Sequence, residues 1–467
     1  MSVTNAAMSE VVVVSNRGPL KFSRREDGEL VARRGAGGLV SSLSPLLVGT
    51  GAIWIAAAMD DDDRAASREG LVEAEGLRLR SLDIDPATYR MAYDVVSNAT
   101  LWFVYHGLFD LTRRPRIDRR WWQAWAAYQT VNEAFAQAVA DTAPQGATVL
   151  IQDFHLSLVG THLAHTRPDL ATVHFTHTPF CDPTGLRALP DAVAEELLSG
   201  LAAHTACGFH AQRWAAAYRD CCTEVLGRSS ATFVAPLGPD PDDLSRVAGS
   251  DACQDAQSWL DDVIGDRRLI LRVDRVEPSK NLLRGFLALD ELLGQRPDLR
   301  EKVVFLALVY PSREGLPEYL AYRTEMETLA ERVNRTWGTP GWDPVVLAVS
   351  DNYPRSVAAL GRYDVLLVNP IRDGLNLVAK EGALLNTTDG LLVLSREAGA
   401  WPELAQGAIG INPFDVSATA DALARALDMA PGERRALSGA VREAAGRRTP
   451  RDWLNDQLAA AEGHQPG

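Results

Sequence analysis

Short β-branched runs alternate with longer stretches of helical period along all 467 residues, and that alternation confines the chain to βαβ units on parallel sheets. Strands of such sheets are covered on both faces, so they read as unbroken apolar runs, as Val11–Val14 does. In the first half the pattern predicts strands at Val11–Val14, Ala147–Gln152, Ala171–Phe175 and Ala231–Ala235, with helices at Arg120–Ala140 and Gln212–Asp220. Three prolines, a glycine and three aspartates then crowd into Val234–Asp243, the composition of a linker. A second series follows, with strands predicted at Arg268–Val273, Val303–Val309, Val345–Val349, Tyr363–Asn369, Gly390–Ser395 and Ala408–Asn412. Helices are predicted between them at Asn281–Leu293, Leu316–Trp337 and Asn376–Leu385, and again past Ser417. The fold class expected is α/β, with two Rossmann-like domains, residues 1–238 and 239–447, facing a central cleft. A C-terminal helix in 448–467 is expected to pack back on the first domain through Trp453 and Leu454. Ligands of open α/β sheets bind beyond the carboxyl ends of the strands, so chemistry is sought at those ends.

Composition narrows the partners. A net charge of −14 repels nucleic acid and anionic membranes, so neither is expected to bind. No run of 18 apolar residues exists, and the opening MSVTNAAMSE lacks the basic and apolar regions of a signal peptide, which predicts a cytoplasmic protein. Five cysteines without a C-x-x-C spacing predict buried free thiols rather than disulfides or a zinc site. The run Asp60–Asp63 has no histidine or paired carboxylate nearby, so it reads as a solvated loop or helix cap and not as a metal motif.

Several strand ends carry residues suited to a phosphorylated ligand. Val11–Val14 leads into Ser15, Asn16 and Arg17, and a glycine-rich loop, Arg33–Leu39, opens a helix to Leu47. Backbone N–H groups of such a loop can approach phosphate, Gly38 among them, although a plain turn fits equally well. Arg275 and Lys280 stand past a strand at the start of a helix, where two cations suit a diphosphate leaving group; a solvated surface pair is the alternative. Asn369-Pro-Ile-Arg-Asp373-Gly374 ends another strand. There the N–H groups near Asn376 and Leu377 are placed for phosphate, Asp373 for a sugar hydroxyl, and Glu381, about two helical turns on, for ribose. The bland alternative makes Asp373 an N-cap and Glu381 a surface residue. Asp153 and His177 each close a predicted strand of the first half.

Taken in order, VVVVSNRGPL, GAGGL, SNATLWFVYH, IQDFHL, HTPF, GFH, RVDRVEPSKN, NPIRDGLNLVAKE, VLSREAGA and NPFD resemble the trehalose-6-phosphate synthase family from about Val11 to Trp453. The resemblance implies a retaining glucosyltransferase of GT-B architecture, with an N-terminal acceptor-binding domain and a C-terminal nucleotide-sugar-binding domain. It implies no cofactor and no metal, and it makes nucleoside-diphosphate glucose and glucose 6-phosphate the small-molecule partners; a homo-oligomer is compatible with it. It assigns Arg275, Lys280, Gly38 and the backbone at Asn376 and Leu377 to the donor diphosphate. Asp373 and Gly374 fall to the donor glucose, Glu381 to the ribose, His177 to the glucose near the reacting carbon, and Asp153 to the acceptor. For the acceptor phosphate it implies Arg17, Tyr93, Trp102 and Arg313, whose two guanidinium forks, phenol and indole N–H suit a dianion.

The loop Ala348–Ser356, which in the family caps the donor base, is about two residues short of the pattern. The Asp351 carboxylate in it could pair bidentately with the N1–H and N2 amino group of guanine, so GDP-glucose is expected ahead of UDP-glucose, with ADP-glucose behind. Two other functions fit the same motifs: a pseudo-glycosyltransferase joining a nucleotide-cyclitol to a cyclitol or sugar phosphate, and a non-catalytic sugar-phosphate sensor.

Overall fold

A computed structural model describes Met8, residues 10–35 and residues 38–464. Ala36 and Gly37 of the glycine-rich loop, and most of the opening segment, lie outside the described residues. The chain divides into two compact units, one running to Pro236 and resuming at Pro450, the other Leu237–Thr449.

The first unit is built on an eight-stranded sheet. From edge to edge its order is Thr232–Val234, Ala206–Phe209, Ala171–Thr176, Thr148–Gln152, Val11–Val14, Ile53–Ala57, Leu77–Leu82 and Leu71–Ala74. All neighbours are parallel except the last pair. Val11–Val14 is buried throughout because helices cover both faces. The chain grows outward from this strand first to one side and then to the other, so the topological switch lies between Val14 and Gln152. Strands at Ile53–Ala57 and Ala206–Phe209 were not expected: IWIAA and ACGF carry alanine and glycine, and packing rather than intrinsic preference holds them extended.

The expected loop Arg33–Leu39 has elements at both of its described ends. Leu30–Arg34 pairs antiparallel with Leu20–Arg24, and Gly38 is the first residue of the helix Gly38–Leu47. Asp60 caps the helix Asp61–Ser67 by accepting from the N–H groups of Asp62 and Asp63, and buried Asp63 accepts from Phe22 and Met59. The aspartate run is therefore a cap joined to a tie between elements.

The second unit has six parallel strands in the order Val345–Val349, Val303–Tyr310, Arg268–Arg275, Val365–Val368, Leu391–Ser395, Ile409–Ile411. This is the 3-2-1-4-5-6 order of a Rossmann sheet, and its switch lies between Arg275 and Val368. The expected linker Val234–Asp243 is irregular over residues 235–240 and contains the boundary between the two units; at its ends Val234 closes a strand, and Asp240 caps the helix Pro241–Ala248. Leu237 belongs to the second unit, since buried Lys380 donates to its carbonyl at 2.9 Å and also pairs with Glu403 at 2.7 Å.

Within this unit Gly238 packs so closely on the returning chain that a Cβ there would lie 1.8 Å from the Arg448 carbonyl oxygen. Gly238→Ala must therefore displace backbone, and we expect a cost of about 1–3 kcal/mol, read as a lower thermal unfolding midpoint than wild type.

Candidate active site

At the switch of the second sheet the sequence places four charges around one point. Strand Arg268–Arg275 alternates its side chains, sending Arg272 and Asp274 into the interior. Arg272 is fully buried; it pairs with Asp274 at 3.1 Å and donates to the Asn369 amide oxygen and the Lys280 carbonyl. Lys280 then reaches Asp373 at 2.5 Å and Asp274 at 3.7 Å. Burial pulls the Lys280 ammonium pKa down, but Asp373 and Asp274 outweigh it and raise the net value, so the cation is fixed. Burial raises the Asp274 carboxyl against the opposing pull of Arg272 and Lys280.

Lys280 lies in a single 3₁₀ turn, Pro278–Lys280, and the helix begins at Leu282, two residues past Lys280. Asn281 between them takes φ 60° and donates to the carbonyls of Asn369 and Pro413, which clamps the two strand ends together. Arg275 ends the strand half-exposed and pairs with buried Glu277 at 3.2 Å. Glu277 also meets Arg313 at 3.4 Å and accepts from Ser312 at 2.9 Å. Burial pushes the Glu277 carboxyl up, yet Arg275, Arg313 and Lys280 together hold it down at about 2. Glu277 thus gathers two of the expected phosphate ligands, and it was missed because nothing in RVEPSKN distinguishes an inward carboxylate from an outward one.

After strand Val365–Val368 the chain turns through Asn369–Asn376 into the helix Leu377–Leu385. Asn376, with φ 75°, is the N-cap, accepting from Ala379 and donating to Asp373 at 3.2 Å. Asp373 is therefore not the cap. Helix geometry leaves the N–H groups at Leu377 and Val378 without intrahelical partners. Gly374 is buried, and a Cβ on Gly399 would fall 1.8 Å from its carbonyl, so this turn tolerates no bulk.

Glu381 sits one turn inside this helix, not two, because residues 373–376 form the turn and not helix. Its carboxyl is pushed up to about 7 by burial and by Asp243. Asp351 is exposed just past strand Val345–Val349, ahead of the helix Tyr353–Leu360 that Asn352 caps.

In the first unit Asp153 follows its strand with φ 72°, and its carboxylate accepts the His177 main-chain N–H at 3.2 Å. The His177 ring is held at both nitrogens: Nε2 lies 2.9 Å from Gln152 Oε1 and Nδ1 lies 3.2 Å from His210 Nε2. Burial lowers its pKa to about 4, so the ring is neutral at pH 7. Exposed Arg17 meets the Tyr93 hydroxyl at 3.4 Å. Tyr93 stacks between Tyr89 and His155, with centroids 5.6 and 5.5 Å away.

Tyr93 and Trp102 are nine residues apart, about two and a half turns of an α-helix, which would set them on opposite faces. The segment Met91–Leu101 is instead a π-helix. Its i→i+5 ladder winds at about 4.4 residues per turn, so nine residues make about two turns and return to one face. Trp102 begins the α-helix Trp102–His106 and is 2% exposed, stacked on His106 at 4.2 Å. Gly38 stands exposed at the start of its helix, with open space where a Cβ would be. Arg17, Tyr93, Trp102, Asp153, His177 and Gly38 thus belong to the first unit, and Arg275, Lys280, Arg313, Asp351, Asp373, Gly374, Asn376, Leu377 and Glu381 to the second. Among the described residues no group of three or more metal-ligating side chains occurs, and no helix is long and apolar enough to cross a membrane.

The raised Glu381 pKa makes a signed expectation. The folded state holds this proton more tightly than the unfolded chain, so Glu381 subtracts stability as pH rises from about 4.5 to about 7. Glu381→Gln should match wild type in urea midpoint below pH 4.5 and exceed it most above pH 7. Equal midpoints at pH 8 would contradict the burial argument.

Comparison with known proteins follows the same outline. The model of glycosyltransferase family 20 matches residues 9–462. A trehalose-6-phosphate synthase of Mycolicibacterium vanbaalenii is 33% identical over 98% of this chain and 97% of its own. Among solved structures, trehalose-6-phosphate synthase of E. coli bound with UDP-2-fluoro glucose superposes with a TM-score of 0.85 at 26% identity, covering 98% of this chain and 100% of that one. A UDP-forming α,α-trehalose-phosphate synthase of Burkholderia xenovorans in complex with glucose 6-phosphate gives 0.83 at 27%, covering 97% and 100%. A family match across nearly the whole chain, joined to two Rossmann-like units with charged strand ends, places this chain in glycosyltransferase family 20.

Proposed function

We propose that the protein is a retaining, metal-independent glucosyltransferase that moves glucose from a nucleoside-diphosphate glucose to glucose 6-phosphate, yielding trehalose 6-phosphate. The observation that carries this reading is the pairing of Lys280 with Asp373 at 2.5 Å, beside Arg275, at the switch of the second sheet. A donor diphosphate entering there meets two fixed cations and the amino end of the helix Leu377–Leu385, which together stabilise the charge that builds as it leaves. Asp373, turned from Lys280, takes glucose hydroxyls, and Glu381 takes the ribose. Arg17, Tyr93, Trp102 and Arg313 serve the acceptor phosphate, Asp153 the acceptor sugar and His177 the donor glucose.

In this reading no carboxylate is given the role of covalent nucleophile. The acceptor oxygen therefore attacks C1 from the face the diphosphate leaves. The C1–O electron pair passes to the leaving phosphate, whose oxygen takes the proton of the incoming hydroxyl. Positioning and electrostatics supply the acceleration.

For the donor base, Asp351 favours guanine through its two-point geometry, while the UDP-forming relatives favour uracil. We retain GDP-glucose as the preferred donor. A panel of GDP-, UDP- and ADP-glucose with glucose 6-phosphate decides it: a clear UDP preference removes the guanine assignment. Product mass separates trehalose 6-phosphate from a pseudo-glycosidic product, and the absence of any nucleotide release would leave only a sugar-phosphate sensor.

Lys280→Ala is expected to lower kcat by about 10²–10³, as loss of one fixed donor at a developing charge does, with the circular dichroism spectrum unchanged. Tyr93→Phe should raise the KM for glucose 6-phosphate by about tenfold or more, the worth of a hydrogen bond to a charged group.

A further inference from the structure

Asp153 is held in a backbone conformation that its side chain disfavours, and a buried histidine on the neighbouring strand supplies part of the hold. Its φ of 72° and ψ of 165° fall in a region populated essentially by glycine. At the same φ an aspartate reaches the tolerated left-handed region by turning ψ alone to roughly 30–60°, which swings its carbonyl to a new direction. The Asp153 N–H is fixed on the Phe175 carbonyl at 2.8 Å, so the direction of the Asp153 carbonyl decides between the two states. That oxygen accepts from the Leu156 N–H at 3.1 Å and from His174 Nε2 at 3.1 Å. Among the described residues, His174 is the side chain that bonds the Asp153 main chain.

His174 lies on strand Ala171–Thr176, which runs parallel to the strand that Asp153 follows, and it is fully buried. A main-chain carbonyl only accepts, so the ring carries its proton on Nε2, and Nδ1 accepts from the Thr176 hydroxyl at 3.4 Å. Burial lowers the ring pKa to about 3, so this neutral form persists at pH 7. We propose that His174 is a positioning residue whose Nε2–H, bonded to the Asp153 carbonyl, keeps Asp153 in glycine-type backbone and so aims its carboxylate. In that pose Asp153 Oδ1 accepts the His177 N–H at 3.2 Å, while Oδ2 lies 3.9 Å from His155 Nδ1 and has lone pairs for a sugar hydroxyl. The sugar contact rests on the reading of Asp153 as a ligand of the acceptor.

The test uses the full-length protein and two readouts, one of which needs no turnover. Asp153→Gly and Asp153→Ala both lack the carboxylate and differ in whether the observed φ and ψ are open to them without strain. With His174 present, the glycine variant should unfold at the higher urea concentration. With His174→Leu the carbonyl is released, alanine relaxes, and the advantage of glycine over alanine should shrink by about half or more. The lost partner of Thr176 weighs equally on both and cancels in the comparison. His174→Gln, whose amide N–H ends where Nε2 does, should preserve the advantage. His174→Asn keeps an acceptor for Thr176 but stops short of Asp153, and it replaces His174→Leu if that variant does not fold. With Asp153 intact, His174→Leu should raise the KM for glucose 6-phosphate about tenfold and leave that for the donor within about twofold, and His174→Gln should restore the wild-type value.

An undiminished advantage of glycine in His174→Leu overturns the proposal, even in a protein that forms trehalose 6-phosphate. An unmoved KM for glucose 6-phosphate overturns it as well. A diminished advantage in a protein that forms no product upholds the hold of His174 on Asp153 and removes the acceptor reading instead.

Discussion

The second unit depends on the arrangement by which buried cations and carboxylates neutralise one another at a sheet's switch point. Arg272, Asp274, Lys280 and Asp373 alternate in sign along one line of contacts. Any one of these charges alone in the interior would be unaffordable, whereas alternated and bonded to Asn369 and the Lys280 carbonyl they are held in one geometry. A cation kept fixed before the ligand arrives need not reorganise when charge develops, which is the condition for electrostatic catalysis. Glu277 does the same for Arg275 and Arg313, tying an exposed and a largely buried guanidinium group to one buried carboxylate.

The first unit meets its task by other means. Its site residues are carried by aromatic stacking and by backbone in uncommon conformations, as at Asp153, and by a widened helix that turns Tyr93 and Trp102 to one side. Here side-chain position follows from the winding of the backbone, so a local change of helix type has chemical consequences. The last helix contributes as well, since Trp453 and Gln457 complete the surroundings of His177 from the far end of the sequence.

Much of this was legible beforehand where periodicity is strong. The valine strand at Val11, the six strands of the second unit and the charged residues at their ends follow from apolar runs that stop at polar ones. Elements of weak pattern were not legible: the alanine-containing strands at Ile53 and Ala206, and the hairpin folded into what reads as a glycine loop. The offset of Glu381 was misjudged by a turn because Asp373–Asn376 carry helix-compatible spacing but wind as a cap.

The sequence by itself determined the fold class, the two-unit organisation and the set of charged residues at strand ends, because these depend on local period and on where apolar runs break. Only the tertiary structure decided that Glu277 joins Arg275 to Arg313, that Tyr93 and Trp102 share a face, and that Gln457 meets Gln152. Those relations join residues as far apart as 152 and 457 or reverse a helical phase. Neither distance across a fold nor a change of winding leaves a periodic trace in the order of amino acids, since both are fixed by packing against elements elsewhere in the chain.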